Sequence, residues 1–226
     1  MKRSDVSTPP FAGRLNAILK DFLNPILKPL GFTKRKNVYV REDRELSWVI
    51  HIQRSDWNSA TEASFTLNGG VYVPGVASTY VNKQERKSLN LADCVVYARI
   101  GMLSESRLDC WWNLRINDDV ASVETEIGMD IKRRVENDVL PFLKRFETKE
   151  DVIGFLEAPL PSKYKFILPP SYATRLAYAA ILHSMSRRTE KYSETINKAI
   201  KEASKSHVEG VRDFYLKLRD RLSRDQ

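Results

Sequence analysis

Histidine is scarce in this chain, with three in 226 residues, and cysteine scarcer, with two. His51, His183 and His207 have no second His or Cys at ligand spacing, so no metal site is expected and no cofactor is called for. Long apolar runs are missing as well. "CVVY" and "AYAAIL" fall far short of the roughly 20 residues a membrane span needs. The basic start, "MKRSDVSTPPFAGRLNAILKDF", is interrupted by Asp5, Arg14, Lys20 and Asp21, so no signal peptide or membrane contact is predicted and a cytoplasmic location is expected. Glycine is thin, and "LNGGV" has neither the spacing nor the following Lys-Ser/Thr of a phosphate loop. A Gly-x-Ser-x-Gly nucleophile elbow is absent too.

What is present is an ordinary globular composition, 42% apolar and 29% charged, in a chain long enough to bury a core without disulfides. The charge is +8 but uneven. From Leu156 onward 14 Lys and Arg face 8 Asp and Glu, so a surplus of six belongs to the last third. Such a surplus favours acidic partners without naming one.

Periodicity divides the chain. Residues 1–10 are expected to fray. Phe11, Leu15, Ile18, Phe22, Ile26 and Leu30 then recur at helical spacing, with Pro25 predicted to kink the helix and Pro29 and Gly31 to end it. After Gly31 the period drops to two. "NVYVRE", "LSWVIHIQR", "ASFTLNGGVYVPG", "DCVVYARIGML" and "LDCWWNLRIN" read as strands, the third broken at Gly69-Gly70 and the last two joined as a hairpin through "LSESR". That hairpin sets Cys94 opposite Ile116 and Cys110 opposite Ile100, too far apart to bond, so both thiols are expected to stay reduced. "STYVNKQERKSLNLA" reads as a polar loop with room for a short helix.

A long helix follows, with Asp118 or Asp119 as cap, an apolar stripe from Val120, Val123, Ile127, Ile131, Val135, Val139 and Phe142, and a kink at Pro141. Thr148 and Asp151 form a capping-box pattern. Prolines 159, 161, 169 and 170 bracket a linker before three more helices. The fold class is therefore α+β, with a curved, mostly antiparallel sheet of about five strands packed with helices. A domain over 1–158 and a basic helical extension over 159–226, a hairpin plus one helix, are expected.

The order of a helix ending in "LGF" and a basic run, then "VYVRE", "WVIHIQRS", "FTLNGGVYVP", "CVVYARIG", a tryptophan-bearing strand and a helix running to "VLPFL", resembles a bacterial domain-of-unknown-function family, numbered 4304, over roughly residues 11–155. The resemblance implies an α+β domain and carries no catalytic residues.

Alternation carries the functional expectation. If Trp48, Ile50, Ile52, Phe65, Leu67, Val96, Ala98, Ile100, Trp112, Leu114 and Ile116 face the core, then His51, Gln53, Thr66, Asn68, Tyr97, Arg99, Trp111, Asn113 and Arg115 face away. Tyr72 joins them if the chain keeps phase. Of these, His51, Gln53, Asn68, Tyr97, Arg99, Trp111, Asn113 and Arg115 are the candidate binding residues. Rigid aromatics, amides and arginines on one face suit a planar or anionic partner. The competing expectation is a face covered by the protein's own chain. Lys34-Arg35-Lys36 and Lys132-Arg133-Arg134 need no functional account, because a solvent-facing turn and the wet flank of a helix explain them.

The leading expectation is a non-enzymatic recognition module that binds a protein, acidic in character, through the sheet face or the basic helices. Nucleic-acid binding through Arg99, Arg115, Trp111 and Tyr97 is the first alternative. An enzyme acting on a small anion with His51 as acid or base is the second. The oligomeric state is left open.

Overall fold

The computed structural model describes residues 9–85, 88–159 and 167–224. Residues 1–8 of the expected frayed start and 160–166 of the proline-bracketed linker lie outside the described residues, whereas Pro9 and Pro10 are the first residues of a helix. The architecture is α+β. The strands are β1 (Thr33–Arg35), β2 (Val38–Glu42), β3 (Ser47–Arg54), β4 (Glu62–Tyr72), β5 (Cys94–Arg99) and β6 (Trp112–Arg115). They form one sheet in the order β1-β2-β3-β4-β5, with β6 also paired to β4. Both the β1–β2 and β4–β6 pairs are antiparallel. The helices are α1 (Pro9–Ile18), α2 (Asn24–Leu27), α3 (Val76–Val81), α4 (Ile100–Leu103), α5 (Val120–Arg134), α6 (Leu140–Leu143), α7 (Lys149–Glu157), α8 (Tyr172–Met185), α9 (Thr189–Ala203) and α10 (Val211–Arg224).

Two compact units share the chain. The first gathers the described residues up to Glu42, Trp48–Gly70 and Ala98–Lys144. The second gathers Asp43–Ser47, Val71–Tyr97 and the described residues from Arg145 on.

In the first unit Pro25 and Pro141 each lie just past a widened helical turn. Leu19–Leu23 and Val135–Val139 are π-turns, in which Asn24 N–H reaches Leu19 O and Leu140 N–H reaches Val135 O. Each donor immediately precedes a proline, Pro25 or Pro141. Widening the turn keeps the proline ring off the carbonyl one turn back, where an α-turn would clash. The extra residue also rephases the apolar stripe. Phe11, Leu15 and Ile18 are buried as predicted, but from the π-turn on the buried positions are Leu19, Leu23 and Leu27, while Phe22 and Ile26 are half-buried and Leu30 is exposed.

Helix and strand approach closely where glycine allows it. A Cβ at Gly128 would lie 2.1 Å from Phe22 Cδ2, and one at Gly69 would lie 2.9 Å from Val139 Cγ1. Gly69 therefore serves packing, and β4 runs unbroken through Gly69-Gly70, contrary to the predicted break. The core contains Ile18, Leu23, Leu27, Ile50, Ile52, Phe65, Leu67, Leu114, Ile131 and Val135, each almost wholly buried. Each such side chain contributes about 1.5–3 kcal/mol over an exposed one.

Three further expectations are corrected. The predicted β5–β6 hairpin does not form, because the chain leaves β5 into α4 and β6 pairs β4, from Glu62↔Arg115 to Phe65↔Trp112. Gly101 allows this turn, since a Cβ there would lie 2.1 Å from Leu108 O. Ile116 lies past the end of β6 and is 57% exposed rather than in the core. Neither Asp118 nor Asp119 caps α5 through its side chain: Asp119 is the N-cap residue without a side-chain bond, and the Asp118 carboxylate instead accepts from Arg115 N at 2.7 Å.

The second unit is mainly helical, with α8 against α7, α9, α10 and α3. Ala177, Ala179 and Ala180 on α8 are buried, as close helix approach requires. The Thr148–Asp151 capping box at the start of α7 forms as predicted. Cys94 and Cys110 are both free thiols, the first buried and the second half-buried.

Candidate functional site

Pairing between β4 and β6 fixes the two faces of the first unit's sheet. Phe65 and Trp112 share one side, with ring centroids 5.6 Å apart, and Ala63 and Leu114 lie on it too. Ser64 and Asn113, then Glu62 and Arg115, share the other. The alternation is clearest in β6, where Trp112 and Leu114 are buried and Asn113 and Arg115 exposed. Thr66, Asn68 and Tyr72 follow Ser64 on its side of β4 by period two.

This polar side is not uniform. Thr66 and Asn68 are buried, and His51 and Gln53 are half-buried. Asn68 Nδ2 donates to Gln53 Oε1 at 3.1 Å, so these two candidates satisfy each other. Burial lowers the His51 pKa, and its Nδ1 is buried without a hydrogen-bond partner, as is Thr66 Oγ1.

Of the first unit's remaining candidates, Asn113 and Arg115 are exposed and Arg99 and Trp111 half-buried. Arg99 Nη1 donates to Asp109 Oδ2 at 2.6 Å, and Trp111 Nε1 donates to the same oxygen at 2.9 Å. The Arg99 guanidinium lies 5.0 Å from the Trp111 ring centre. One carboxylate thus locks a cation over an aromatic face. Asn113 Oδ1 accepts from Ser64 Oγ at 2.6 Å, and Arg115 Nε donates to Glu62 Oε1 at 3.3 Å. Sequence reasoning found Arg99 and Trp111 but not Asp109, which lies at the start of the "LDCWWNLRIN" stretch read as a strand. Nearby in the chain, Asp130 accepts from Trp112 Nε1 at 3.0 Å, Arg134 Nε at 2.9 Å and Arg133 Nη2 at 2.5 Å. Burial works to raise its pKa, but these donors hold it below the usual carboxylate range.

Tyr97 belongs to the second unit. It is half-buried, and its backbone pairs with Leu168 through N–H···O bonds of 3.1 and 2.8 Å. Burial raises its hydroxyl pKa.

The second unit also holds polar groups that the sequence did not single out. Arg175 is only 1% exposed, and no carboxylate among the described residues pairs with it. Its Nη2 donates to Phe155 O and, at 2.8 Å, to Ala158 O, the carbonyls at the end of α7. The rings of Phe155 and Tyr172 lie 5.2 and 5.6 Å from its guanidinium carbon. Burial lowers its pKa, while the helix C-terminus answers its charge. Beside it, Glu157 Oε1 takes a hydrogen bond from Thr195 Oγ1 at 2.9 Å and lies 2.9 Å from His183 Nε2.

Among the described residues no group of three His, Cys, Asp or Glu could hold a metal ion, and no helix is long and apolar enough to cross a membrane. The family model for Domain of unknown function (DUF4304) matches residues 23–145, more than half of the chain. The chain belongs to the DUF4304 family. No curated protein and no solved structure matches it. All eight candidate binding residues fall within the DUF4304 span, whereas Arg175, His183 and Thr195 lie beyond it.

Proposed function

We propose that this DUF4304 protein is a non-enzymatic recognition module of the bacterial cytosol. It binds a protein partner through the open part of the polar sheet face, around Arg99, Trp111, Asn113 and Arg115. The observation that carries this reading is the Asp109 carboxylate, which holds Arg99 and Trp111 together. Trp and Arg are the side chains most often found at energetic hot spots. Fixing their rotamers before contact removes part of the ordering cost of association. Because Asp109 and Glu62 already neutralise Arg99 and Arg115, the partner surface is polar and planar at its centre, with no need for a strong acidic charge there. A nucleic acid on the same face would have to draw Arg99 and Arg115 away from those carboxylates. Acid–base chemistry at His51 lacks support, since no described residue partners its Nδ1.

The test is capture from nuclease-treated lysate by wild type and by the R99A/W111A double variant, with thermal melting as a folding control. A partner kept by the wild type and lost by a folded variant supports the reading. Equal capture by both proteins sinks it.

A further inference from the structure

Two neighbouring strands set four polar side chains in a block on the Ser64 side of the sheet. β3 and β4 are adjacent and joined by the short 55–61 loop, so they run antiparallel. Ser55 N donates to Ser64 O at 2.9 Å, which puts Ser55 opposite Ser64. In that register Gln53 stands opposite Thr66 and His51 opposite Asn68. All four side chains share one face by period two, and the Cβ atoms of directly opposite residues are about 4.5–5.5 Å apart. The side chains agree with the register: Asn68 Nδ2 donates to Gln53 Oε1 at 3.1 Å, along one diagonal of the block. The other diagonal runs from His51 to Thr66. These two carry buried atoms with no partner among the described residues, His51 Nδ1 and Thr66 Oγ1.

β2 closes one flank. Ile52 N donates to Asn37 O at 2.8 Å, so Val38 stands opposite His51. Val38 is buried, and so is Val49, two residues before His51 on the same face. Thr66 is 0% exposed and Asn68 3%, whereas His51 and Gln53 are half-buried, so the block reaches solvent along β3. Burial lowers the His51 pKa, which leaves the imidazole neutral at neutral pH, with one N–H and one acceptor nitrogen.

The block therefore carries no charge. An ion would enter it without a counter-charge, at a desolvation cost that a neutral ligand avoids. The bonded amides leave Gln53 Nε2 to donate and Asn68 Oδ1 to accept. Beside them, His51 Nδ1 and Thr66 Oγ1 each suit a donor or an acceptor. A ligand that pairs both buried atoms at once relieves two unsatisfied groups.

We propose that His51, Gln53, Thr66 and Asn68 form a binding site for a small uncharged ligand with adjacent N–H and C=O groups, the edge that a nucleobase lactam or a primary carboxamide presents. The site does not rest on the protein-partner reading, whose residues are Arg99, Trp111, Asn113 and Arg115.

Isothermal titration calorimetry of the full chain with uracil and with nicotinamide, at neutral pH, tests the proposal. Binding of uracil assigns the lactam, and binding of nicotinamide the carboxamide. Benzoate, a ring with a charge in place of the amide, should not bind. T66V keeps the side chain's shape without its hydroxyl and should weaken binding at least about tenfold. Its melting temperature should be unchanged or raised, because the hydroxyl it removes is unpartnered. H51F should weaken binding to a similar extent. Binding of neither probe, equal binding of benzoate, or undiminished binding by either variant would overturn the proposal and leave the two unpartnered atoms to ordered water. A melting temperature lowered by T66V would overturn it as well, by showing that the hydroxyl already has a partner.

Discussion

Arg54 and Arg175 are two arginines with a buried, unpartnered Nε and no carboxylate, yet their surroundings differ. Arg175 lies between two aromatic rings and donates to two carbonyls at a helix end, so its charge has a structural answer. Arg54 ends a strand and, among the described residues, makes no such bonds. A buried guanidinium whose donors are used belongs to the architecture. One whose donors are unused is a polar group the architecture leaves unsatisfied.

Substitutions can break this contrast. The largest effect is expected for R175A, which strands the α7 carbonyls and leaves a cavity; a loss of about 3 kcal/mol in chemical denaturation is predicted. T148A removes the side-chain cap from the other end of the same helix and should cost about 1 kcal/mol by the same measurement. If the two losses came out equal, Arg175 would be no more than an ordinary cap.

A smaller effect, confined to a pH window, is expected at His51. Its folded pKa lies below the ordinary value of 6.5. The unfolded chain therefore binds the proton more readily, and stability is full above pH 6.5 and falls as pH drops through the folded value. In H51N this component of the slope, read as melting temperature against pH, should disappear. The smallest effect is predicted for R54A, within about 0.5 kcal/mol and of either sign, because it removes no ion pair and relieves Lys34. A loss approaching that of R175A would make Arg54 a structural residue as well.

Much of the fold was legible because it rests on local periodicity. The alternation in "WNLR" placed Asn113 and Arg115 opposite Trp112 and Leu114 without coordinates, and the Thr148–Asp151 spacing marked the start of α7. Pairings between distant segments were not legible. Nothing in the "LDCWWNLRIN" stretch says that it adds to β4 rather than β5, since both choices satisfy the same alternation. The shift from Phe22 and Ile26 to Leu23 and Leu27 was hidden because one added residue in a turn leaves composition unchanged. Of the site, Arg99 and Trp111 were found and their organiser Asp109 was not. Arg175 gave no signal, because a single cation in a helical stretch reads as solvated.

The widened turns ahead of Pro25 and Pro141 make chain length and proline interdependent. Deleting one residue from 19–23 would restore an ordinary helical step and, in the same stroke, drive the pyrrolidine ring into a carbonyl. Replacing Pro25 alone would leave a surplus residue without the ring it accommodates. Homologues that lack either proline should therefore be one residue shorter at that place, so that insertions, deletions and proline usage travel together at both helices.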